Sequence, residues 1–150
     1  METLRAMIKR HEGWRDRPYL CSAGHRTIGY GWNLDANPLP DDIAAYLNRH
    51  GCILPEHGER LLTIAIGAAT FQCHMLCPAF NTFSQERQNA LVDFVFNVGL
   101  GTAKKFVKAT TAINAGDWGK AAEEMKDSLW YHQVGARADD IIDMIKGRDV

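Results

Sequence analysis

The chain has 150 residues, of which 46% are hydrophobic and 23% charged, a composition typical of one ordinary globular domain with a sizeable core. This composition excludes a disordered, collagen-like or low-complexity protein, and no apolar run reaches the roughly 18 residues that a membrane-spanning helix needs. Because 17 Lys and Arg stand against 18 Asp and Glu, the net charge is -1, and the chain lacks the basic surplus of a nucleic-acid-binding protein.

The N-terminal part of the sequence predicts a short helix followed by a small β-ribbon. Apolar residues at helical spacing indicate an amphipathic helix over residues 3–11, which Gly13 ends. Between Arg15 and Leu34, Pro18 and several glycines separate short runs of β-forming residues. This pattern is typical of two or three antiparallel strands, and a ribbon of that size needs helices to pack against.

From Pro40 onward the pattern is helical. One helix is predicted to begin at Pro40 and end at Gly51, and a longer one to begin at Pro55 and run to about Cys77. Ser84 is a suitable cap for the next helix. The remaining predicted helices are Gln85–Val98, Ala103–Ala115, Trp118–Asp127 (capped by Asp117) and Ala136–Lys146. Because Gln85–Val98 leaves little polar surface, we expect it to be central and nearly surrounded.

These elements predict one α+β domain, mostly helical, with a small antiparallel β-ribbon near the N-terminus. We expect two lobes within it. The ribbon lobe covers about residues 12–54, and the helical lobe covers about residues 79–150 together with the helix at 3–11. A long helix at about 55–77 connects them.

The N-terminus, Met-Glu-Thr-Leu-Arg, is charged and lacks the apolar stretch of a signal peptide, so we expect a protein made and folded in a cytoplasm. Four cysteines are few for a disulfide scaffold, and we expect free thiols. They are Cys21, Cys52, Cys73 and Cys77. Cys73, His74 and Cys77 match no common zinc module, so no metal site is predicted, with a zinc site as the alternative.

Glu12 is the first candidate for acid–base chemistry. It stands at the end of the apolar face of the first helix, where the helix dipole does not favour a carboxylate. A carboxyl group that faces a ribbon there is partly removed from water, which favours its protonated form. A protonated Glu can deliver a proton to a leaving oxygen. The alternative is an exposed Glu at a fraying helix end.

The residues that follow Glu12 carry a recognisable spacing. Eight residues separate Glu12 from Cys21, five separate Cys21 from Thr27, and Ile28-Gly29-Tyr30-Gly31 follows. This segment resembles the active-site signature of phage-type lysozymes (glycoside hydrolase family 24), which is Glu, eight residues, Asp or Cys, five residues and Thr.

Two later segments extend the resemblance. Ala90–Gly99 is similar to the central helix of the family, and Trp130–Ala138 is similar to its C-terminal segment with Trp, Gln and Arg-Ala. The three similar segments lie in the family's order and span about residues 4–146. The resemblance therefore covers almost the whole chain.

The resemblance implies a lysozyme-like fold and a muramidase that cleaves the β-1,4 bond between N-acetylmuramic acid and N-acetylglucosamine in peptidoglycan. No cofactor is implied. In the family, the residue matched by Glu12 is the general acid, that matched by Thr27 helps to place the attacking water, and that matched by Arg137 pairs with the catalytic Glu. An inverting mechanism separates the acid from the water-handling group, so that this water fits between sugar and protein. The expected substrate contacts are Trp32, Asn97 and Gln133, although the two amides could instead satisfy backbone groups.

Cys21 occupies the position at which many relatives carry Asp. A thiol with an ordinary pKa of about 8.5 is a poor base and a poor negative group at neutral pH unless its pKa is lowered. Arg17 and Arg26 are close in sequence and could favour the thiolate. The alternative is an inert ribbon thiol, and Asp16 is a possible substitute carboxylate that does not match the family position.

Two other functions stay open at this point. One is a wall-binding module that has lost catalysis because of Cys21. The other is a Cys-dependent peptidase or amidase that uses His25, although the sequence offers no third group to orient that histidine. For the muramidase we expect a monomer, peptidoglycan as the partner, no nucleic acid, and a separate holin-like pore for passage from the host cytoplasm to the wall.

Overall fold

The computed structural model describes residues 2–147, which form a mostly helical protein with one three-stranded antiparallel sheet near its N-terminus. The strands are β1 (Arg15–Leu20), β2 (Arg26–Gly29) and β3 (Trp32–Asn33). The helices are α1 (Leu4–Glu12), α2 (Asp41–His50), α3 (Pro55–Leu76), α4 (Gln85–Val98), α5 (Leu100–Ala103), α6 (Val107–Asn114), α7 (Trp118–Lys126), α8 (Leu129–Val134) and α9 (Ala136–Lys146). The predicted α+β class is confirmed, and the predicted domain ends at residues 1 and 148–150 lie outside the described residues.

The first helix begins and ends where its capping residues require. The Thr3 hydroxyl accepts a hydrogen bond from the backbone N–H of Ala6 at 3.1 Å, which caps the N-terminus of α1. Gly13 follows the helix at a φ of +73°, a conformation that disfavours other residues. The helix runs one residue further than predicted, so Glu12 is its last residue.

The sheet places residue 27 in its middle strand. Thr27 in β2 pairs with Tyr19 of β1 on one side and with Asn33 of β3 on the other. Gly24 and Gly31 lie in the turns before and after β2, at φ values of +81° and +76°. The predicted antiparallel ribbon is confirmed, with three strands.

A hydrophobic core supports the sheet. Ile28 and Trp32 from the sheet pack with Ile43 of α2, Ile53, and Leu61 of α3. Each of these side chains is at most 8% exposed. Burial of this kind stabilises a sheet that is too small to persist alone.

The long helix α3 follows its predicted bounds closely. It begins at Pro55 with Glu56 in its first turn, and it ends at Leu76, shortly before Pro78. Within residues 2–147, no helix combines the length and the apolar character that a membrane span requires.

The chain divides into two compact units within α3, the first ending at Ile66 and the second beginning at Gly67. This division differs from the predicted lobes at α1, which falls in the first unit rather than with the later helices. The guanidinium Nε of Arg5 donates to the Glu59 carboxylate of α3 at 2.9 Å, and the Lys9 ammonium binds the same carboxylate. An amphipathic pattern shows that one face of a helix is buried, but it does not identify the element that covers that face.

Helix α4 is the buried centre of the second unit, as predicted. The Ser84 hydroxyl caps it by accepting a hydrogen bond from the backbone N–H of Arg87 at 3.2 Å. Every residue from Asn89 to Val95 is buried. Because such a run covers all sides of a helix, α4 is surrounded by protein along this stretch.

The helices at Trp118–Lys126 and Ala136–Lys146 confirm the predictions, whereas the helix predicted at 103–115 begins only at Val107, as α6, and is separated from the additional short helix α5. The division occurs at Phe106, whose ring packs at 5.0 Å from the ring centre of Phe94 and 6.2 Å from that of Trp130. This aromatic contact favours a break that a helical pattern in the sequence does not reveal. Helix α8 was not predicted as a separate element.

Candidate active site

Glu12 lies at the C-terminal end of α1 with its carboxyl group against the turn between β2 and β3. A β-carbon built on Gly31 would stand 2.7 Å from Cδ, 2.8 Å from Oε2 and 2.9 Å from Oε1 of Glu12. The carboxyl group therefore occupies the space beside the backbone of this turn. Glu12 is half-buried.

The negative charge of Glu12 affects the pKa of the Tyr19 phenol in β1. The pKa of Tyr19 is raised, first by partial burial and second by the nearby negative charge of Glu12, against the opposing effect of Arg15. The Arg15 guanidinium stacks on the Tyr19 ring at 4.8 Å from its centre. The carboxyl group of Glu12 thus faces both β1 and the β2–β3 turn.

Thr27 presents its hydroxyl next to the turn that precedes β2. The side chain is buried, with 4% of its surface exposed, and its hydroxyl donates a hydrogen bond to the backbone carbonyl of His25 at 3.0 Å. A hydroxyl has one proton and two acceptor sites. Its one proton can go to the His25 carbonyl or to the Cys21 sulfur but not to both, and in either case the Thr27 oxygen keeps acceptor sites for other groups.

Cys21 lies directly after β1 in a turn that its backbone closes. Its N–H donates to the carbonyl of His25 at 3.0 Å, and its carbonyl accepts from the N–H of Gly24 at 2.9 Å. Partial burial alone would raise the pKa of the Cys21 thiol. Hydrogen bonds from the backbone of His25 and Ala23 and from the Thr27 hydroxyl outweigh that effect, and the pKa is lowered from its ordinary value.

The source of this lowering differs from the one proposed from the sequence. Arg17 and Arg26 were the expected causes, but the largest contributions come from hydrogen bonds to the turn and to Thr27. The Arg26 guanidinium instead donates to the Asp35 carboxylate, from Nε at 3.0 Å. Although Arg26 is close to Cys21 in sequence, its charge is paired with the Asp35 carboxylate and not with the thiol.

His25 has a neighbouring carboxylate that the sequence did not indicate. Its Nδ1 lies 4.0 Å from Oδ2 of Asp35, and the backbone N–H of Arg26 donates to the same oxygen at 2.9 Å. Hydrogen bonds from Arg26 lower the pKa of Asp35, which keeps it charged. A carboxylate thus lies near His25, ten residues further along the chain, but at 4.0 Å it is beyond hydrogen-bond distance of the ring.

Trp32 lies in the core of the first unit. Its indole is 8% exposed, and its Nε1 donates to the carbonyl of Asn37 at 3.2 Å. A sugar ring stacks on an open aromatic face, and this buried ring has none to offer. The burial of its ring therefore argues against the predicted contact between Trp32 and the substrate.

The other predicted residues belong to the second unit. Arg137 in α9 pairs with Asp93 of α4, with Nη2 at 2.6 Å from Oδ1. Asn97 near the end of α4 accepts a hydrogen bond from the indole N–H of Trp130 at 2.8 Å, and Trp130 is buried as expected. Gln133 is exposed on α8. The roles of Arg137, Asn97 and Gln133 stay predictions.

The four cysteines are unpaired, as predicted. Burial raises the pKa of Cys73 to about 12, with a further contribution from Cys77, and burial raises that of Cys77 to about 11. Among residues 2–147, no three His, Cys, Asp or Glu side chains come together in a group that could hold a metal ion. The pKa of the Cys21 thiol is shifted in the opposite direction from those of Cys73 and Cys77.

The helical fold with its small sheet, together with the Glu12 and Cys21–Thr27 arrangement, has the features of a lysozyme-like hydrolase. The sequence model of the phage lysozyme family matches residues 9–143, which is most of the chain. The chain therefore belongs to the phage lysozyme family and is a lysozyme-like peptidoglycan hydrolase.

Relatives support this membership. The chain is 24% identical to "Probable T4-type lysozyme 1" of Dictyostelium discoideum over 97% of its own length and 95% of that protein. It is 32% identical to an endolysin of Acyrthosiphon pisum secondary endosymbiont phage 1 over 80% of its own length and 73% of that protein. It is also 32% identical to the pre-baseplate central spike protein Gp5 of Enterobacteria phage T4 over 88% of its length, but it spans only 25% of that longer protein.

Proposed function

We propose that this hydrolase is an endolysin-like muramidase that cleaves the β-1,4 bond between N-acetylmuramic acid and N-acetylglucosamine with inversion. Family membership supports the class of reaction. The observation that carries the assignment of the site is the Thr27 hydroxyl, whose oxygen keeps acceptor sites beside a thiol with a lowered pKa. Such a pair offers acceptors, and an attacking water needs an acceptor for its protons.

In this proposal Glu12 is the general acid. It protonates the glycosidic oxygen, so that the leaving sugar departs with a hydroxyl group, and the bond from the anomeric carbon to that oxygen breaks. The position of Glu12 supports this role. It is the last residue of α1, and its carboxyl group packs against the backbone of the β2–β3 turn, which restricts its movement. Inverting glycosidases keep such an acid roughly 6.5–9.5 Å from the group that handles the water.

Thr27 and Cys21 handle the water in this proposal. The Thr27 oxygen accepts a hydrogen bond from the water, whose oxygen forms the new bond to the anomeric carbon on the face opposite the leaving group, and the proton that this water loses goes to the Cys21 thiolate. The Cys21 thiolate then serves as the acceptor that a carboxylate provides in many relatives. Its lowered pKa supports this role because a larger thiolate fraction exists at neutral pH.

The biological role that we propose is bacterial cell lysis. The enzyme is made in the host cytoplasm as a monomer, passes a holin-like pore and acts on the peptidoglycan of the periplasm. Asn97 and Gln133 bind sugar, and Arg137 supports the catalytic Glu. This part of the proposal rests on the family resemblance.

Product chemistry tests the proposal. Purified peptidoglycan is digested, and new reducing ends and new amines are counted in the same sample. A muramidase releases reducing ends on N-acetylmuramic acid without amines, and NMR of the first products shows the α-anomer if the configuration inverts. A β-anomer would contradict inversion. Release of neither product, with binding retained, would mean a wall-binding module.

A second candidate function is a Cys-dependent peptidase or amidase acting on the peptide stems of the wall. The specific observation in its favour is that His25 follows the Cys21 turn and has the Asp35 carboxylate 4.0 Å from its Nδ1, since such enzymes use a thiol, a histidine and a group that orients the histidine. New amines without new reducing ends, lost in Asp35→Asn and in Cys21→Ser, would support this candidate over the muramidase.

A further inference from the structure

Gly31 is one of two glycines of the first unit at which a β-carbon would overlap with a neighbouring side chain; at the other, Gly58, that side chain is Trp14. Several glycines of this unit adopt positive φ values, which are +67° at Gly29, +72° at Gly51 and +76° at Gly31. A β-carbon on Gly51 would meet nothing within 4 Å, and one on Gly29 would make ordinary contacts of 3.7 Å. A β-carbon on Gly31 would overlap with the Glu12 carboxyl group.

All three atoms nearest to this missing β-carbon belong to the Glu12 carboxyl group, at 2.7 to 2.9 Å. Non-bonded carbon atoms come no closer than about 3.5 Å without repulsion. The carboxyl group thus lies in space that exists only because residue 31 has no side chain. The backbone conformation of the turn and the position of the carboxyl group are separate reasons for glycine here.

We propose that Gly31 is a positioning residue for the general acid, because its missing side chain allows the Glu12 carboxyl group to lie against the β2–β3 turn. This proposal rests on the proposed function only in calling Glu12 the acid. A side chain at position 31 displaces the carboxyl group, which is the far end of a flexible side chain and moves at little cost in stability. Catalysis does not tolerate that movement, since a shift of about 1 Å can reduce a rate about 100-fold.

The sheet limits where a displaced carboxyl group can go. Tyr19 lies near enough to Glu12 for the carboxylate charge to affect its phenol, and its ring is covered by Arg15. A carboxyl group pushed from Gly31 must therefore rotate within the space between β1 and the turn, or leave it. Either movement changes the direction in which its proton is delivered.

The test compares Gly31→Ala with Gly29→Ala and Gly51→Ala. All three substitutions force alanine into a positive φ, so they share the backbone penalty, but only Gly31→Ala contacts Glu12. We expect kcat of Gly31→Ala to fall about 100-fold with KM within about threefold of wild type. Gly29→Ala and Gly51→Ala, measured at equal folded fraction, should stay within about threefold in both constants. An equal loss in all three variants would overturn the proposal.

A second measurement does not depend on activity. The carboxyl carbon of Glu12 is followed by carbon-13 NMR, and its chemical shift should change in Gly31→Ala but not in Gly29→Ala. An unchanged Glu12 signal in folded Gly31→Ala overturns the positioning proposal even if the enzyme is a muramidase. The opposite pair of results is also informative. If the Glu12 signal moves in Gly31→Ala but Glu12→Gln keeps wild-type activity, Gly31 positions the carboxyl group of Glu12, and Glu12 is not the general acid.

A variant that does not fold still decides the question. If Gly31→Ala is unfolded, the double variant Glu12→Ala/Gly31→Ala should fold as well as Glu12→Ala/Gly29→Ala, because truncation of Glu12 gives the new methyl group its space. Failure of this double variant to recover would assign the defect to the backbone and overturn the proposal.

Discussion

The guanidinium of Arg137 donates two hydrogen bonds to one oxygen of Asp93, from Nε at 3.1 Å and from Nη2 at 2.6 Å. The Asp93 side chain has no exposed surface, and that of Arg137 is 10% exposed. The pair joins α4 to α9 inside the second unit. Charge-assisted hydrogen bonds of this geometry hold both groups in a fixed position. Removal of the charge on one of them deprives the other buried charge of this interaction.

Substitution Asp93→Asn should therefore lower the free energy of unfolding by about 3 kcal/mol, because the Arg137 charge loses its partner. Urea unfolding followed by circular dichroism measures the change. The matched control is Asp42→Asn, which breaks the exposed pair with Arg60 and should barely move the urea midpoint. If both variants shift the midpoint equally, the buried pair does not stabilise the second unit.

The isosteric substitution Glu12→Gln should reduce kcat at least about 100-fold, since a positioned general acid typically contributes 10²–10⁴-fold. The fold should be unaffected, because glutamine fits the same space against Gly31. Reducing-end release from purified peptidoglycan gives the rate, and a thermal melt gives the stability. Near wild-type turnover of the glutamine variant would exclude Glu12 as the acid.

Local patterns predicted most of the fold. Ser84 and Asp117 cap helices as expected, because a hydroxyl or carboxylate that accepts from a backbone N–H three residues later is a local interaction. Gly13 and Gly51 end helices for the same kind of reason. The break at Phe106 could not be predicted in this way, because its contacts are with Phe94 and Trp130, which are distant in sequence.

The candidate site was predicted in its residues but not in its interactions. The spacing of Glu12, Cys21 and Thr27 identified the catalytic candidates, whereas the hydrogen bonds that lower the pKa of Cys21 depend on how the turn closes. Trp32 was predicted as a substrate contact, whereas its ring packs in the core of the first unit, through contacts with residues that are distant in sequence. Asp93 was overlooked, although an acid inside an apolar helix is itself a signal of a buried partner.

Substitution Thr27→Val should lower kcat with little change in muropeptide binding, and it should also raise the pKa of Cys21. The hydrogen bond from Thr27 stabilises the thiolate in the wild-type protein, so its loss reduces the thiolate fraction at neutral pH. The rate of iodoacetamide alkylation at Cys21, measured against pH by peptide mapping, should move to higher pH. The control Thr111→Val removes an exposed hydroxyl with a similar backbone hydrogen bond, and it should change neither kcat nor the pH dependence of Cys21 alkylation.

Buried thiols should make the protein lose stability at alkaline pH. The pKa values of Cys73 and Cys77 are raised from 9.0 to about 12 and about 11, so the folded chain keeps both protons where the unfolded chain releases them. The stabilisation is complete below pH 9 and decreases as pH rises towards 11 and 12, by up to about 1.4 kcal/mol per pH unit for each thiol. Urea unfolding from pH 8 to 10.5 should therefore show a weaker pH dependence in Cys73→Ala/Cys77→Ala than in wild type. Equal slopes would contradict the assignment.

Substitutions at Cys21 test whether this thiol takes the place of a carboxylate. Cys21→Asp should stay active, because the backbone N–H groups of His25 and Ala23 and the Thr27 hydroxyl that stabilise a thiolate can also stabilise a carboxylate. Cys21→Val should lose most activity, since an isopropyl group neither accepts a hydrogen bond nor carries negative charge. Reducing-end release by the three proteins gives the comparison.

A bulky maleimide adds a control on the same position. The experiment uses a Cys52→Ser background, because Cys52 is the other partly exposed thiol and Cys73 and Cys77 are buried. The reagent should stop lysis by the protein with Cys21 and leave the Cys21→Asp variant active, with mass spectrometry confirming the modified residue. Full activity of Cys21→Val would assign the water to Thr27 alone. Two results together would establish the thiol as a nucleophile: an inactive Cys21→Asp variant, and a covalent substrate adduct on Cys21 of the protein that keeps this residue. They would replace the muramidase mechanism by the peptidase mechanism.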